Sequence, residues 1–385
     1  MTVIRRQLPP AGRAQERFDS AVNTLADFDF RSNSIGFLRL LFASMVVFSH
    51  SFNLGGFGPE PLSKLTGGVE DIGTVAVDGF FVLSGLLITR SFEKTAGLGS
   101  YLWHRVLRIF PAFWVCLFAV AFGFAPLMFM RERATFSGFL TSTDPPWHYV
   151  TANAFLVMRQ YNIAGLLANV PYPSVLNHSL WTLQYEFYCY LAVGALGTVG
   201  LLNRRPFAAL MPLFACAGLF CLVTWVRGLE QVPTVLRVLE LYSFFSIGAC
   251  AYLFRDRIPI RGTWALASFI LIAIALQTRS YGIILLLCLS YLTIYTAMRL
   301  PFRNFDKRVD LSYGLYIYAF PTQQLLTSFG VPAFGFLAYL GAAYATSLAL
   351  AAFSWFGIER TSLSLKYFRL EALFRKPLAQ PPPIA

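Results

Sequence analysis

Long apolar runs alternate with short polar ones along the whole chain. Ten runs approach the roughly 20 residues that a membrane-crossing helix requires. They cover 34–54, 73–92, 109–129, 179–202, 207–226, 236–254, 263–279, 280–298, 310–329 and 333–356. Each is predicted to be α-helical, because a lone strand leaves its backbone groups unsatisfied in lipid. Only Arg279 and Ser280 part the seventh run from the eighth, which predicts a tight hairpin there. The expected fold class is therefore all-α, a polytopic integral membrane helix bundle of about ten transmembrane helices.

Three parts follow from this pattern. Residues 1–33 are polar and carry Arg5, Arg6, Arg13, Arg17 and Arg31. They lack a signal-type apolar stretch and are expected to stay on the cytoplasmic side, as a surface helix or as disordered chain. Residues 34–356 form the membrane domain. Residues 357–385 are a basic tail ending in PLAQPPPIA, whose proline content predicts disorder. Two outer segments are long. One, 55–72, is rich in Gly and Pro. The other, 130–178, carries Pro145, Pro146, Trp147, Tyr161, Pro171 and Pro173. Its aromatic and amide content suits sugar binding and equally an interfacial lid.

Composition sharpens the picture. Of 385 residues, 56% are hydrophobic and 13% charged. Soluble domains carry about 25% charged residues, so the bilayer is the expected solvent and intrinsic disorder is excluded. The net charge of +12 raises nucleic-acid binding as a question. The basic residues sit instead in short clusters between apolar runs, where membrane proteins keep their anchors, and no nucleic-acid partner is expected. With the N-terminus inside, 23 of the 31 Lys and Arg residues fall on the cytoplasmic side and seven on the outer side. That bias supports ten spans with both termini cytoplasmic. Cysteines 116, 189, 216, 221, 250 and 288 all lie in apolar runs without metal-ligand spacing, so reduced packing residues are expected.

Ionisable residues inside spans are costly and mark candidate sites. Arg39 and His50 lie in the first run, eleven residues or about 16 Å of helix apart, on one face. Asp78 in the second run and Glu186 in the fourth are expected at the depth of His50, where a carboxylate would fix the imidazole tautomer for a general base. The bland alternative is a polar cluster that holds helices together. Arg105 and Arg108, three apart, share a helix face and suit phosphate oxygens, though basic residues at this boundary are also ordinary topology anchors. His104 beside them reads as interfacial, His178 as exposed and His148 as lacking a partner. Ser84 and Gly85 read as a small-residue packing patch. Tyr313, Tyr316 and Tyr318 either line a cavity or pack. There is no nucleophile elbow, phosphate-binding glycine loop or zinc motif, and no metal is expected.

Five stretches together resemble the acyltransferase 3 family of integral membrane acyltransferases. They are GFLRLLFASMVVFSH (36–50), VAVDGFFVLSGLLITRSF (75–92), YLWHRVLRIFPAFW (101–114), NHSLWTLQYEFYCYL (177–191) and DLSYGLYIYAFPTQQLL (310–326). In order and spacing they run over about three quarters of the chain. The family pattern of Arg, ten residues, then His falls on Arg39 and His50, and its Arg-x-x-Arg pattern on Arg105 and Arg108. The resemblance implies transfer of an acyl group, usually acetyl, from cytoplasmic acyl-coenzyme A. The implied acceptor is a hydroxyl of a cell-surface glycan or a lipid-linked glycan precursor, and the implied location is the bacterial inner membrane. It implies Arg39, Arg105 and Arg108 as coenzyme A contacts and His50 as base, with Asp78 or Glu186 as its partner. The chain departs from the family at three places. Ala319 stands where a late His is common; Ser32, Asn33 and Ser34 replace an acidic residue before the first span; and Thr182-Leu-Gln-Tyr-Glu186 stands for a motif closer to SLxVE. Intramembrane His, Asp and Glu also suit a proton-coupled transporter or a non-catalytic partner in polysaccharide export. A transporter would show broken helices in two matching halves, and a non-catalytic partner would lack the arginine and histidine constellation.

The topology has a direct check. A cysteine introduced as Lys64→Cys is expected to react with an impermeant maleimide on intact spheroplasts, and one introduced as Lys307→Cys only after permeabilisation. The reverse pattern would overturn the ten-span orientation.

Overall fold

The computed structural model describes residues 24–204, 233–278, 282–303, 305 and 308–367. Among the described residues nine long helices carry the fold: α1 (Ile35–Gly55), α2 (Ile72–Lys94), α3 (Leu98–Arg133), α4 (Trp181–Thr198), α5 (Pro233–Leu253), α6 (Gly262–Thr278), α7 (Gly282–Arg299), α8 (Ser312–Ser328) and α9 (Phe336–Ser364). No strand occurs among the described residues, which show only an isolated bridge between Thr24 and Pro259. Six of these described helices, α1, α2, α3, α5, α7 and α9, are long and apolar enough to cross a membrane. The other three occupy further predicted runs. The fifth predicted run, 207–226, lies outside the described residues, as do Arg279, Lys307, Cys216, Cys221 and both chain ends. Among the described residues Cys116, Cys250 and Cys288 are free thiols, and Cys189 is buried.

The third predicted run is longer than its apolar stretch. Helix α3 begins at Leu98 and spans 36 residues, about 54 Å against a hydrocarbon core of about 30 Å. Its first turns hold Arg105 and Arg108, so both are helical. A π-turn at Val120–Phe124 lies just before Pro126, which has no N–H to continue the ladder.

Helix α8 escapes a hydropathy count because it is surrounded by protein. Every residue from Ser312 to Gln324 is buried, so its polar groups answer to neighbouring helices rather than lipid. Pro321 frees the carbonyl of Ile317 four residues back. Asn177 Nδ2 supplies the missing donor at 2.9 Å. Gln323 Nε2 donates to Val47 O and Ser51 Oγ at 2.9 and 2.7 Å, fastening α8 to α1. Gln324 Nε2 donates to Tyr172 O and Val175 O at 2.8 and 2.7 Å, fastening it to the long segment before α4.

Helices α2 and α5 touch through their backbones. A methyl group placed on Gly85 would lie 1.9 Å from Phe245 O, and one on Gly248 would lie 2.0 Å from Val82 O. Small residues allow this approach, which is how membrane helices gain packing without a hydrophobic driving force. Gly85 thus does the packing expected of it, whereas Ser84 faces a cavity.

Gly248→Ala is expected to cost about 1–3 kcal/mol, as overpacking does, and to lower the unfolding midpoint in detergent. Gly341→Ala in α9, with nothing within 4 Å of the added methyl, is expected to leave the midpoint unchanged or slightly raised. Equal effects of the two would refute the close contact.

Candidate active site

Two cavities lie end to end inside the bundle. The first, about 360 Å³, is basic at one end. Arg39 enters it from α1, Arg105 and Arg108 from α3, and Lys366 from the turn after α9. Arg39 Nη1 and Arg108 Nη2 converge on Asp310 Oδ2 at 2.9 and 2.8 Å. The other Asp310 oxygen accepts from the Ser312 backbone and hydroxyl at 3.2 and 2.6 Å. Arg108 Nη1 also lies 3.7 Å from Glu359 Oε2. These two arginines are therefore held in place and largely neutralised.

Arg105 and Lys366 are not. Among the described residues neither has a carboxylate within ion-pair distance. The Arg105 guanidinium sits over the rings of Tyr101 and Tyr190, 6.0 and 5.9 Å from their centroids, and donates to Ser91 Oγ at 3.3 Å. Its Nε is buried without a partner. The turn bearing Lys366 is pinned to α3: Trp103 Nε1 donates to Leu365 O at 3.3 Å, and His104 Nε2 lies 3.3 Å from Lys366 O. Burial lowers the Lys366 ammonium to about 8, with Arg105 and Arg108 adding repulsion. Two cations without counter-charge at one mouth favour an anionic guest, and guanidinium groups match phosphate best.

The second cavity, about 230 Å³, contains His50. The His50 ring packs edge-on against Phe320 at 5.2 Å, and its Nδ1 is buried without a hydrogen-bond partner. Asp71, Asn53, His178, Tyr172 and Trp181 line the same space. Asp71 caps α2, accepting from Thr74 N at 2.6 Å, and its Oδ1 also lies 3.4 Å from Ser49 Oγ, one residue before His50. His178 is half-buried rather than exposed, and burial holds its imidazole below the ordinary value.

The carboxylates expected beside His50 lie elsewhere. Asp78 is wholly buried and lies 3.1 Å from Arg237 Nη2. Arg237 Nη1 is bound in turn to Glu240 at 2.5 Å. On α2, Thr74 and Val77 face the cavity; Asp78 is one residue further, about 100° round the helix, and so faces α5. Glu186 lies on the cavity face of α4 but one turn beyond Thr182, about 6 Å along the axis. It lines the basic cavity, where Oε1 accepts from Tyr190 and Ser84 hydroxyls at 2.5 and 3.1 Å. The carboxylate that shares the His50 cavity is Asp71.

Val77, Thr182 and Tyr316 line both cavities and so form the wall between them. The Thr182 and Tyr316 hydroxyls are 2.6 Å apart. Arg39 and His50, on one face of α1 as their spacing predicts, thus stand in adjacent chambers. Tyr313 also lines the basic chamber, whereas Tyr318 is packed.

Sequence reasoning missed Asp71, Arg237, Asp310 and Lys366. Asp71 carried a signal, an acidic residue three before Thr74 at the start of an apolar run, which marks a helix N-cap. Asp310 sat inside a quoted motif. Arg237 carried a signal as well, an ionisable residue inside the sixth predicted run, 236–254. Nothing local marks Lys366, which becomes a site residue only when distant segments meet.

Comparison with known proteins agrees with the geometry. A family model described as an acyltransferase domain matches residues 32–356. An O-acetyl transferase of Shigella phage Sf6 is 29% identical over 341 residues, covering 87% of this chain and 97% of its own. Nodulation protein 10 of Rhizobium leguminosarum bv. viciae is 26% identical over 362 residues, covering 87% and 94%. No solved structure matches the chain at a significant level. With the family model spanning most of the sequence and the helical bundle in place, this multi-pass membrane protein belongs to the acyltransferase 3 family.

Proposed function

We propose that this membrane acyltransferase moves an acyl group, acetyl by preference, from coenzyme A in the basic cavity to a hydroxyl in the His50 cavity. The observation that carries the reading is the shared wall. A cationic chamber and a histidine chamber meet at three residues, so a donor held by its phosphates presents its thioester to the imidazole. Arg105 and Lys366, lacking carboxylate partners, bind the phosphates, and Arg39 and Arg108 shape the mouth around them. His50 takes the proton of the acceptor hydroxyl as its oxygen attacks the thioester carbonyl carbon. The C–S bond breaks, and the departing coenzyme A sulfur recovers that proton from the imidazolium. Asp71 stabilises the imidazolium; Asp78 positions Arg237 at the cavity edge; Glu186 orders the Ser84 and Tyr190 hydroxyls along the donor path.

The acceptor belongs to the class of cell-surface glycans or their lipid-linked precursors. Trp181, Tyr172 and Phe320 offer ring faces, and Asn53, Asp71 and His178 offer hydrogen bonds, which together suit a sugar. The phage relative's name supports the reaction class. The family resemblance suits a bacterial inner membrane location, and the basic-residue bias supports an orientation with the arginine chamber and both termini cytoplasmic.

His50→Gln preserves one hydrogen bond but takes no proton. Coenzyme A release from acetyl-coenzyme A and a glycan acceptor is expected to fall about 10²–10⁴-fold, with coenzyme A affinity retained. Near-normal turnover by the folded variant would remove His50 from the reaction.

Donor binding has its own signature. With its proton held only to about 8, Lys366 is a cation below that pH and neutral above it, so coenzyme A affinity is expected to weaken as pH rises through 8. Lys366→Arg stays charged and is expected to abolish the slope. Arg105→Ala is expected to lose about 10- to 150-fold in affinity at every pH, the size of one charged hydrogen bond. An unaltered slope in Lys366→Arg, measured by calorimetric titration, would exclude the lysine.

A further inference from the structure

The donor and the base do not share one chamber, and this raises a question that the reaction alone does not answer. On the function proposed above, coenzyme A stays on the basic side because its phosphates are held there. The acyl group is the leading tip of the donor. To meet His50 it must pass Val77, Thr182 and Tyr316, the three residues common to both chambers. We infer that the hydrogen-bonded Tyr316–Thr182 pair, closed over Val77, selects which acyl group this enzyme transfers, admitting short chains and refusing long ones.

The construction of the wall supports this role. Tyr316 belongs to α8, whose neighbouring residues are all buried and whose position is fixed by Gln323 and Gln324 bonds to α1 and to the loop before α4. Thr182 lies in the first turn of α4, and its hydroxyl is 2.6 Å from that of Tyr316. Phe80 of α2 packs edge-on against the Tyr316 ring at 5.9 Å, blocking its retreat on that side. Val77 is β-branched and stiff at χ1. The wall is therefore made of side chains with little freedom to shrink, and its one soft element is a single hydroxyl–hydroxyl contact. An acetyl group needs that contact to open by about its own width. A longer chain needs the tyrosine ring to move, against Phe80.

The second chamber adds a limit in the same direction. Its volume is about 230 Å³, and the acyl tip must share it with the acceptor hydroxyl and the atoms around that hydroxyl. Each added methylene takes space from the acceptor. Size exclusion at the wall and competition in the chamber both favour a two-carbon acyl group.

The test compares donors rather than absolute rates. Purified wild-type enzyme and three variants, Tyr316→Leu, Tyr316→Phe and Thr182→Ser, are assayed with acetyl-, propionyl-, butyryl- and hexanoyl-coenzyme A, and kcat/KM is expressed relative to acetyl. Tyr316→Leu removes the ring that fills the gap, and Thr182→Ser removes a methyl while keeping the hydroxyl. The butyryl-to-acetyl ratio is expected to rise about 10-fold or more in Tyr316→Leu and by a smaller factor in Thr182→Ser, since one methylene in a pocket discriminates by about 10- to 200-fold. Tyr316→Phe keeps the ring and loses only the hydroxyl contact, so its ratio is expected to rise less than that of Tyr316→Leu. A purely structural role lowers all donors together and leaves the ratios flat. Flat ratios in all three variants, with an active wild-type enzyme, overturn the inference and leave the proposed function standing. A wild-type enzyme that takes no acyl group from any coenzyme A thioester overturns both.

Discussion

The structure depends first on one carboxylate. Asp310 accepts from Arg39 of α1 and Arg108 of α3 with the same oxygen, and it precedes α8 by two residues. Glu359 of α9 reaches the other side of Arg108. The ends of α1, α3, α8 and α9 are thereby tied together. A guanidinium at membrane depth without a partner is costly, and removing one member of a buried pair leaves the other uncompensated at about 3–5 kcal/mol. The position of Arg39 and Arg108 is thus not free to drift, and the basic chamber takes its outline from that knot.

A second knot works on the opposite side of α2. Arg237 holds Asp78 and Glu240, and its Nη2 donates to Thr74 O at 3.2 Å. Glu70 stands close to both carboxylates, and burial, then Glu240, push its carboxyl up to about 8. A protonated Glu70 halves the excess of negative charge that three carboxylates and one arginine would create. About 10 Å further along α2, Gly85 and Gly248 bring the α2 and α5 backbones into contact. Charge pairing and glycine contact act together, because the short interhelical distance set by the glycines lets the arginine reach across. The rotational setting of α2 follows: Asp78 is turned toward α5, so Thr74 and Val77 are left facing the chambers.

The helices were legible because lipid imposes a length and an apolar composition on them. The exceptions follow the same physics. Ser312–Gln324 is wholly buried in protein, so its polarity obeys its neighbours rather than the bilayer, and α3 extends well beyond its apolar stretch. At the site, the single-helix relations held: Arg39 with His50, and Arg105 with Arg108, each share a face. Relations between helices were not legible. Depth alone put Asp78 and Glu186 beside His50, but rotation about α2 and one turn along α4 decide otherwise, and neither quantity is written in a single segment. Lys366 shows the limit most plainly. It follows the last long helix by two residues and looks like an ordinary basic anchor, yet backbone contacts to Trp103 and His104 fold it into the chamber mouth.

On the function proposed above, the division into two chambers answers a conflict between what the donor needs and what the reaction needs. A polyanionic donor needs cations and water around its phosphates, whereas an activated ester near an imidazole needs water kept out. One continuous cavity would serve neither end. A wall of a tyrosine, a threonine and a valine separates the solvated, charged region from the reacting region while leaving only one hydrogen bond to be exchanged. That bond is the 2.6 Å contact between the Thr182 and Tyr316 hydroxyls, which the proposed path has to open. A partition of this kind needs no moving lid, and it explains why both hydroxyl partners sit on helices fixed by their own buried contacts rather than on the long loops nearby.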